Sequence, residues 1–270
     1  PRLRPRRAQG KAAGLRARHV LARVGLRKTS LVDFPGRVAA VLFAPGCNFR
    51  CPYCHNPSLV LGVEEGLALD GGGGPMPAFD DGLLGLEDAA RIVEGRAGRI
   101  TGVVLSGGEA LLHPELPELA ARFRGKGLAV KLDTNGSFPD RMTSIGADFV
   151  ALDLKTVPER YPLLAPGLAG AGQKVLESLE VLRRSGAEYE IRITCAPGFA
   201  GPEEADGLAA LLERGDRVVL QEFRPGGCLD PAWDGKEAWS GPEMAGMLSR
   251  IRQRAPLARI RGRTGEGKAG

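Results

Sequence analysis

Three of the chain's five cysteines fall within eight residues, in Gly46-Cys47-Asn48-Phe49-Arg50-Cys51-Pro52-Tyr53-Cys54-His55-Asn56. The spacing is C-x3-C-x2-C, and no fourth cysteine follows to close the set. A loop of that length wraps one small inorganic object and offers it three thiolates from one side. A disulfide framework would want an even number of cysteines spread along the chain. A structural zinc site would want four ligands, usually as two separated pairs. Three clustered thiolates point instead to an iron–sulfur cluster with one iron left open, where a substrate can bind. Elsewhere Cys195 reads as a small buried hydrophobe and Cys228 as a lone loop thiol. His55 reads as a loop residue with a local hydrogen bond rather than a fourth ligand, and His113, before Pro114, as a helix N-terminal residue.

A loop can aim thiolates only if rigid elements hold it. The run Val38-Ala39-Ala40-Val41-Leu42-Phe43 is continuously apolar and of strand length, as in a strand buried on both faces, and it leads directly into Pro45-Gly46-Cys47. Similar short runs recur at 102–105, 128–132, 148–152, 190–194 and 217–220, with a last one at 258–261. Helical spacing separates them at 86–95, 116–123, 175–184, 203–213 and 243–252. Strands alternating with helices mean βα units and a parallel sheet. The expected fold is therefore α/β, a partial (β/α)6 barrel with parallel strands rather than a full eight-fold one. Residues 67–85, with Gly71-Gly72-Gly73-Gly74-Pro75, read as a flexible insertion with no packing role.

Parallel α/β folds bind ligands beyond the carboxyl ends of their strands. Here the first strand ends in the cysteine loop and the second in Ser106-Gly107-Gly108-Glu109. The third ends in Asp133-Thr134-Asn135-Gly136, the fourth in Asp153-Leu154-Lys155, and the fifth near Arg192 and Pro197-Gly198. The sixth ends in Gln221-Glu222-Phe223-Arg224-Pro225. Taken singly these are bland: a glycine turn, an Asx-type turn, surface charges. Their shared position at strand exits predicts that they converge on one face.

Composition bounds the rest. At 270 residues and 43% apolar, the chain can bury the core of one α/β domain. The net charge of +5 is uneven: residues 1–28 hold ten Lys or Arg and no acid, which leaves 29–270 at −5. Residues 1–25 read as a basic, disordered leader and 266–270 as a tail. The leader alone would suit nucleic acid, and the acidic body argues against such a partner. No apolar run approaches the ~18–20 residues of a membrane span, and no signal-peptide core is evident. A cytoplasmic protein with reduced thiols and no membrane partner is expected.

The cysteine loop after the first strand, with Gly107-Gly108-Glu109 after the second, resembles the radical S-adenosylmethionine (SAM) superfamily. Asp33-Phe34-Pro35-Gly36-Arg37, Cys51-Pro52-Tyr53-Cys54-His55-Asn56-Pro57, Lys131-Leu132-Asp133-Thr134-Asn135-Gly136 and Asp153-Leu154-Lys155 resemble the glycyl-radical-enzyme activating enzymes within it. Leu26-Arg27-Lys28-Thr29-Ser30-Leu31-Val32-Asp33 and Leu220-Gln221-Glu222-Phe223-Arg224-Pro225 are similar to the anaerobic ribonucleoside-triphosphate reductase activating proteins. The radical SAM domain would span 26–265.

The resemblance implies that Cys47, Cys51 and Cys54 hold three irons of a [4Fe–4S] cluster and that SAM chelates the fourth. One electron would then cleave SAM to methionine and a 5′-deoxyadenosyl radical. It further implies that Gly107, Gly108 and Glu109 form the segment at the SAM amino group, and that Asp153 and Lys155 lie at its carboxylate end. Asp133 and Thr134 would act nearby, by way of a bound monovalent cation. Arg192 is a further candidate for the carboxylate, and Tyr53 would pack against the cluster or the adenine. The implied partners are a glycyl radical enzyme, first an anaerobic ribonucleotide reductase, and a low-potential electron donor such as flavodoxin or ferredoxin. Two departures stand out. Ala110 replaces the usual proline after Gly-Gly-Glu, and the 71–75 insertion lacks the extra cysteines of subgroups with a second cluster. The alternatives are a small-molecule radical SAM enzyme resembling 7-carboxy-7-deazaguanine synthase, and a non-catalytic metal-binding module using its leader on nucleic acid.

Overall fold

The computed structural model describes residues 23–61 and 82–261. Its strands are β1 (Arg23–Ser30), β2 (Ala39–Ala44), β3 (Leu83–Gly85), β4 (Gly102–Gly107), β5 (Ala129–Thr134), β6 (Phe149–Asp153), β7 (Glu188–Cys195), β8 (Val218–Glu222) and β9 (Arg259–Arg261). Its α-helices are α1 (Pro57–Leu61), α2 (Leu86–Glu94), α3 (Leu116–Gly125), α4 (Pro139–Met142), α5 (Tyr161–Leu164), α6 (Ala171–Arg184), α7 (Ala205–Ala210) and α8 (Gly241–Arg252). All strands join one sheet in the order β3-β1-β2-β4-β5-β6-β7-β8-β9. Every pairing from β2 through β9 is parallel, so the described chain forms the expected partial barrel.

Two strands at one edge depart from the all-parallel expectation. β1 pairs antiparallel with β2 and with β3, and neither was legible as a strand. In β1, Val24 and Leu26 are buried but sit among Arg23, Arg27 and Lys28, whose charges hide the alternation. The aliphatic stem of such a side chain covers apolar surface: the Arg27 guanidinium lies 5.6 Å from the Phe43 ring centre. β3 corrects a second expectation, because its three residues end a stretch that was given no packing role. β1 also takes in residues 23–25, read from sequence as the end of the leader. The rest of that leader, the glycine run at 71–75 and the tail at 266–270 lie outside the described residues.

The sheet's two faces differ, and the difference positions the site. On the outer face Val103, Leu105, Val130, Leu132, Val150, Leu152, Ile191 and Ile193 pack under the helices. α6 meets them with Val175, Ser178, Leu179 and Leu182, one stripe at helical spacing. α8 begins with a capping box between Ser240 and Glu243, which satisfies the first-turn amides. Each fully buried aliphatic side chain contributes about 1.5–3 kcal/mol, so this layer carries the fold. The inner face is smaller. Phe34, Ala39, Val41, Phe43, Val104, Phe149 and Ala151 cluster there toward the start of the strands. Register places Lys131 beside Phe149, Asp133 beside Ala151, and Asp153 beside Arg192 on that same face. The lumen is thus apolar at one end and ionic at the end where the strands exit.

Candidate active site

The cysteine loop is fixed from several sides by backbone hydrogen bonds. Gly46 N–H donates to the Leu59 carbonyl (2.7 Å), closing the loop onto α1. Arg50 N–H donates to the Leu164 carbonyl at the end of α5 (2.6 Å), and Cys54 N–H to the Cys51 carbonyl (3.0 Å). Leu229 and Asp230 N–H groups donate to the carbonyls of Cys54 and Pro52, each at 2.9 Å. The segment around Cys228 therefore borders the loop, although sequence showed only a lone thiol in a glycine-rich turn. Cys228 is buried, and Asp234 accepts from its backbone N–H at 2.9 Å. Cys195 is fully buried in the outer core, as expected of a small hydrophobe. His55 is exposed and stacks on Phe223, while buried His113 lies 2.8 Å from the Pro45 carbonyl just ahead of the loop.

Gly107 and Gly108 come close to the cysteine loop itself. A Cβ on Gly107 would sit 2.0 Å from the Ala44 carbonyl oxygen, and its φ of +138° is one that side chains resist. A Cβ on Gly108 would sit 2.2 Å from the Gly46 oxygen and 3.0 Å from Cys47 Cβ. Two bonds lock the approach: Gly108 N–H to Ala44 O (3.0 Å) and Glu109 N–H to Gly46 O (2.8 Å). Buried Glu109 then ties this exit to the next one. Its carboxylate accepts from Leu111 N–H (3.0 Å), Thr134 Oγ1 (2.9 Å) and Asn135 N–H (2.6 Å). Burial pushes Glu109 up to about 7, against the three donors that favour its charged form. Its extended backbone (φ −137°, ψ 108°) is the conformation a following proline would impose, so Ala110 preserves the turn.

The third exit is an Asx turn, as sequence indicated: Asn135 Oδ1 accepts from Ser137 N–H at 2.9 Å. Sequence did not show that the same amide reaches the cysteine loop. Asn135 Nδ2 donates to Asn48 Oδ1 (3.0 Å) and lies 3.9 Å from Cys47 Sγ, while Asn48 Nδ2 donates to Ser137 Oγ (2.8 Å). Donors near a cluster sulfur are one of the protein's means of setting its potential.

Lys155, Asp153, Arg192 and Asp133 meet in the lumen. Arg192 Nε donates to Asp153 Oδ1 (2.7 Å), and its NH1 lies 3.4 Å from Asp133 Oδ1. Lys155 Nζ donates to Asp153 Oδ2 at 3.3 Å. Sequence assigned no role to two further members. Lys131 Nζ donates to Asp133 Oδ1 at 2.6 Å, and Ser106 Oγ to Asp133 Oδ2 at 3.1 Å. Burial alone would raise Asp153, but Arg192 and Lys155 outweigh it and hold the carboxyl down to about 2. Asp133 is likewise held low against burial, by Arg192 and Lys131. Lys155 is tied to the cysteine side through its backbone: its N–H donates to Tyr161 Oη (3.1 Å), whose ring meets Phe49 edge-on. Three cations face two carboxylates, so the network carries one surplus positive charge.

Tyr53 packs against Phe199 and Trp233, each 5.5 Å away between ring centres. Sequence could not foresee these partners, which come from far along the chain. Its buried Oη has no hydrogen-bond partner among the described residues, which is costly unless a bound group supplies one.

The donor set fits a cluster. Burial pushes Cys47 up to about 11, Cys51 up to about 12, and Cys54 upward as well. Lys155 pulls all three the other way, which places its charge within reach of every thiol. Burial outweighs that pull, so the thiols stay protonated at neutral pH and binding iron must release their protons. Among the described residues no three Cys, His, Asp or Glu side chains form a site for a single metal ion. A cubic cluster does not require one, since each thiolate takes a different iron. The surplus lumen charge and the orphaned Tyr53 hydroxyl suit an amino acid carboxylate and a polar ligand edge, the two ends that SAM would present.

Comparison with known proteins agrees. Residues 41–208 match the radical SAM superfamily. A Methanocaldococcus jannaschii protein described as a glycyl-radical enzyme activating enzyme is 27% identical over 76% of this chain and 81% of its own. The pyruvate formate-lyase-activating enzyme of Clostridium pasteurianum is 31% identical over 76% of this chain and 82% of its own. A solved structure of TYW1 with a lysine–pyruvate adduct shares the fold, with a TM-score of 0.55 at 15% identity over 80% of this chain and 74% of that one. With its three-cysteine loop seated on the Gly107–Gly108 backbone at the mouth of a partial barrel, the chain belongs to the radical SAM superfamily and is homologous to its glycyl-radical-enzyme activating enzymes.

Proposed function

We propose that this protein installs a glycyl radical on an anaerobic ribonucleoside-triphosphate reductase, using a [4Fe–4S] cluster and SAM. One observation carries the reading: the cysteine loop and the surplus lumen charge at Lys155 face one another across a single strand-exit surface. When bound, the cluster would supply the electron that cleaves SAM to methionine and a 5′-deoxyadenosyl radical, which takes a hydrogen atom from the partner's glycine.

The chain's own residues do the remaining work. Cys47, Cys51 and Cys54 would hold three irons. The backbone at Gly107 and Gly108 fixes the loop's height above the lumen. Lys155, with Arg192 behind Asp153, would neutralise the SAM carboxylate and orient the sulfonium, so that electron transfer becomes intramolecular. Tyr53, Phe199 and Trp233 would wall the site against water.

The choice of reductase rests on the Leu26–Asp33 and Leu220–Pro225 segments, which resemble the reductase activators. A low-potential donor such as flavodoxin or ferredoxin would deliver the electron. The reduced thiols suit the cytoplasm, and no described helix is long and apolar enough to cross a membrane.

The test is anaerobic incubation of reconstituted, reduced protein with SAM and the reductase of the same organism, read by electron paramagnetic resonance. A glycyl doublet on the reductase is expected. A doublet on pyruvate formate-lyase alone would move the partner to that enzyme, and none on any glycyl radical enzyme would end the activase reading.

A further inference from the structure

Asp133, expected with Thr134 to serve a monovalent cation, has no charge left to offer one, and neither has its neighbour Asp153. Asp133 is met by Lys131 at 2.6 Å, by Arg192 at 3.4 Å and by the Ser106 hydroxyl at 3.1 Å. Asp153 is met by Arg192 at 2.7 Å and by Lys155 at 3.3 Å. The Thr134 hydroxyl, the other expected ligand, is spent elsewhere. It donates to Glu109 at 2.9 Å and accepts from Gly136 N–H at 3.1 Å, and alternation along β5 turns it away from the lumen face that carries Lys131 and Asp133. Of the other acids nearby, Glu190 is held by Arg261 at 3.0 Å and Arg259 at 3.6 Å, and Glu109 is filled by three donors, Leu111 N–H, Thr134 Oγ1 and Asn135 N–H. A cation placed here would meet three side-chain cations and no carboxylate without partners of its own.

Among these groups Lys131 has no other visible purpose. It is buried on the inner face of a central strand, with its ammonium 5.9 Å from the Phe149 ring centre and hydrogen-bonded to Asp133. Burying a lysine costs several kcal/mol unless its charge is matched, and an apolar residue would continue the Val41, Val104, Ala151 layer at no such cost. Its chemistry is that of a tethered monovalent cation: compact, singly charged, with donors that can turn toward oxygen.

We propose that Lys131 is a built-in monovalent cation, which fixes Asp133 and through it Arg192, Asp153 and Lys155, and that this protein binds SAM without any added alkali ion. The proposal rests on the SAM site described above but not on the identity of the glycyl partner. Lys131 acts through the carboxylates, so it is a positioning residue rather than a catalytic one.

The test is equilibrium binding of SAM to the anaerobically reconstituted, unreduced protein, so that no turnover occurs. Affinity is compared in potassium, sodium and choline chloride at matched ionic strength. The wild type should bind equally well in all three, within about twofold. Lys131→Met should bind at least about tenfold more weakly in choline, the loss expected when one partner of a buried pair is removed. Potassium or ammonium should restore part of that affinity, which a merely structural defect would not allow. Lys131→Arg keeps the charge and should stay independent of added cation if the methionine variant does not fold. Tenfold weaker binding by the wild type in choline would overturn the proposal, as would wild-type affinity of Lys131→Met in that salt. The measurement reads SAM binding alone, so a missing glycyl doublet would leave it standing.

Discussion

Two ion networks in this molecule differ in whether their buried charges are matched. Outside the sheet, Arg183 on α6 grips fully buried Asp216 with two bonds, Nε to Oδ1 at 3.3 Å and NH2 to Oδ2 at 2.8 Å. Tyr189 Oη and Glu213 N–H also donate to that carboxylate, each at 2.8 Å. What remains of the guanidinium is taken by the Leu211 carbonyl, Glu180 and Glu213. Glu180 and Glu213 are exposed to water, so the buried part of this network, Arg183 with Asp216, is matched one to one. In the lumen the chain of contacts Lys131–Asp133–Arg192–Asp153–Lys155 begins and ends on a cation. Lys155, at one end, is the member of this network whose charge acts on all three thiols. A closed network only holds elements together, whereas one that stops on an unmatched charge is prepared for a ligand that will match it.

The largest effects should come from the thiols that the open network faces. Cys47→Ala, Cys51→Ala or Cys54→Ala should each abolish SAM cleavage, measured as 5′-deoxyadenosine, together with the brown colour of reconstituted protein. Cys195→Ala and Cys228→Ala should retain both, and loss of the cluster in either would contradict the ligand assignment.

Smaller but still large is the effect of Gly108→Ala. Its methyl would enter space held by the Gly46 carbonyl and Cys47 Cβ, a local overpacking of about 1–3 kcal/mol that must displace the cysteine loop. Iron content per chain should fall while the fold, followed by circular dichroism, persists. Full iron occupancy in that variant would show that the loop tolerates a different height.

The remaining pair of substitutions separates the two networks directly. Lys155→Met removes the surplus charge and leaves two acids facing two bases, so the urea midpoint should barely change. SAM cleavage should fall about tenfold to a hundredfold, the worth of one charged hydrogen bond. Asp216→Asn should do the reverse: about 3 kcal/mol of stability lost by leaving Arg183 without its buried partner, with SAM cleavage intact at permissive temperature. If Lys155→Met were the more destabilising of the two, the contrast between open and closed networks would fail.

The C-x3-C-x2-C loop, the alternation of apolar runs with helices, and the strand-exit positions of Gly107-Gly108-Glu109, Asp133-Thr134, Asp153-Lys155 and Arg192 were all readable along the chain. These are local properties, set by covalent spacing and by the periods of strand and helix. Their convergence followed because parallel strands all exit on one side. Tertiary structure alone decided which groups meet. The register of β5 against β6 and β7 brings Lys131 to Asp133 and Arg192 between two acids, and a slip of one residue would have turned each to the other face. Long-range packing set Trp233 and Phe199 against Tyr53, laid the Cys228 turn along the cysteine loop, and made β1 and β3 strands despite their charges and shortness. Sequence placed the three thiols together at the first strand exit. The cations they face, and the surplus charge waiting beside them, depend on pairings between distant strands that no local pattern encodes.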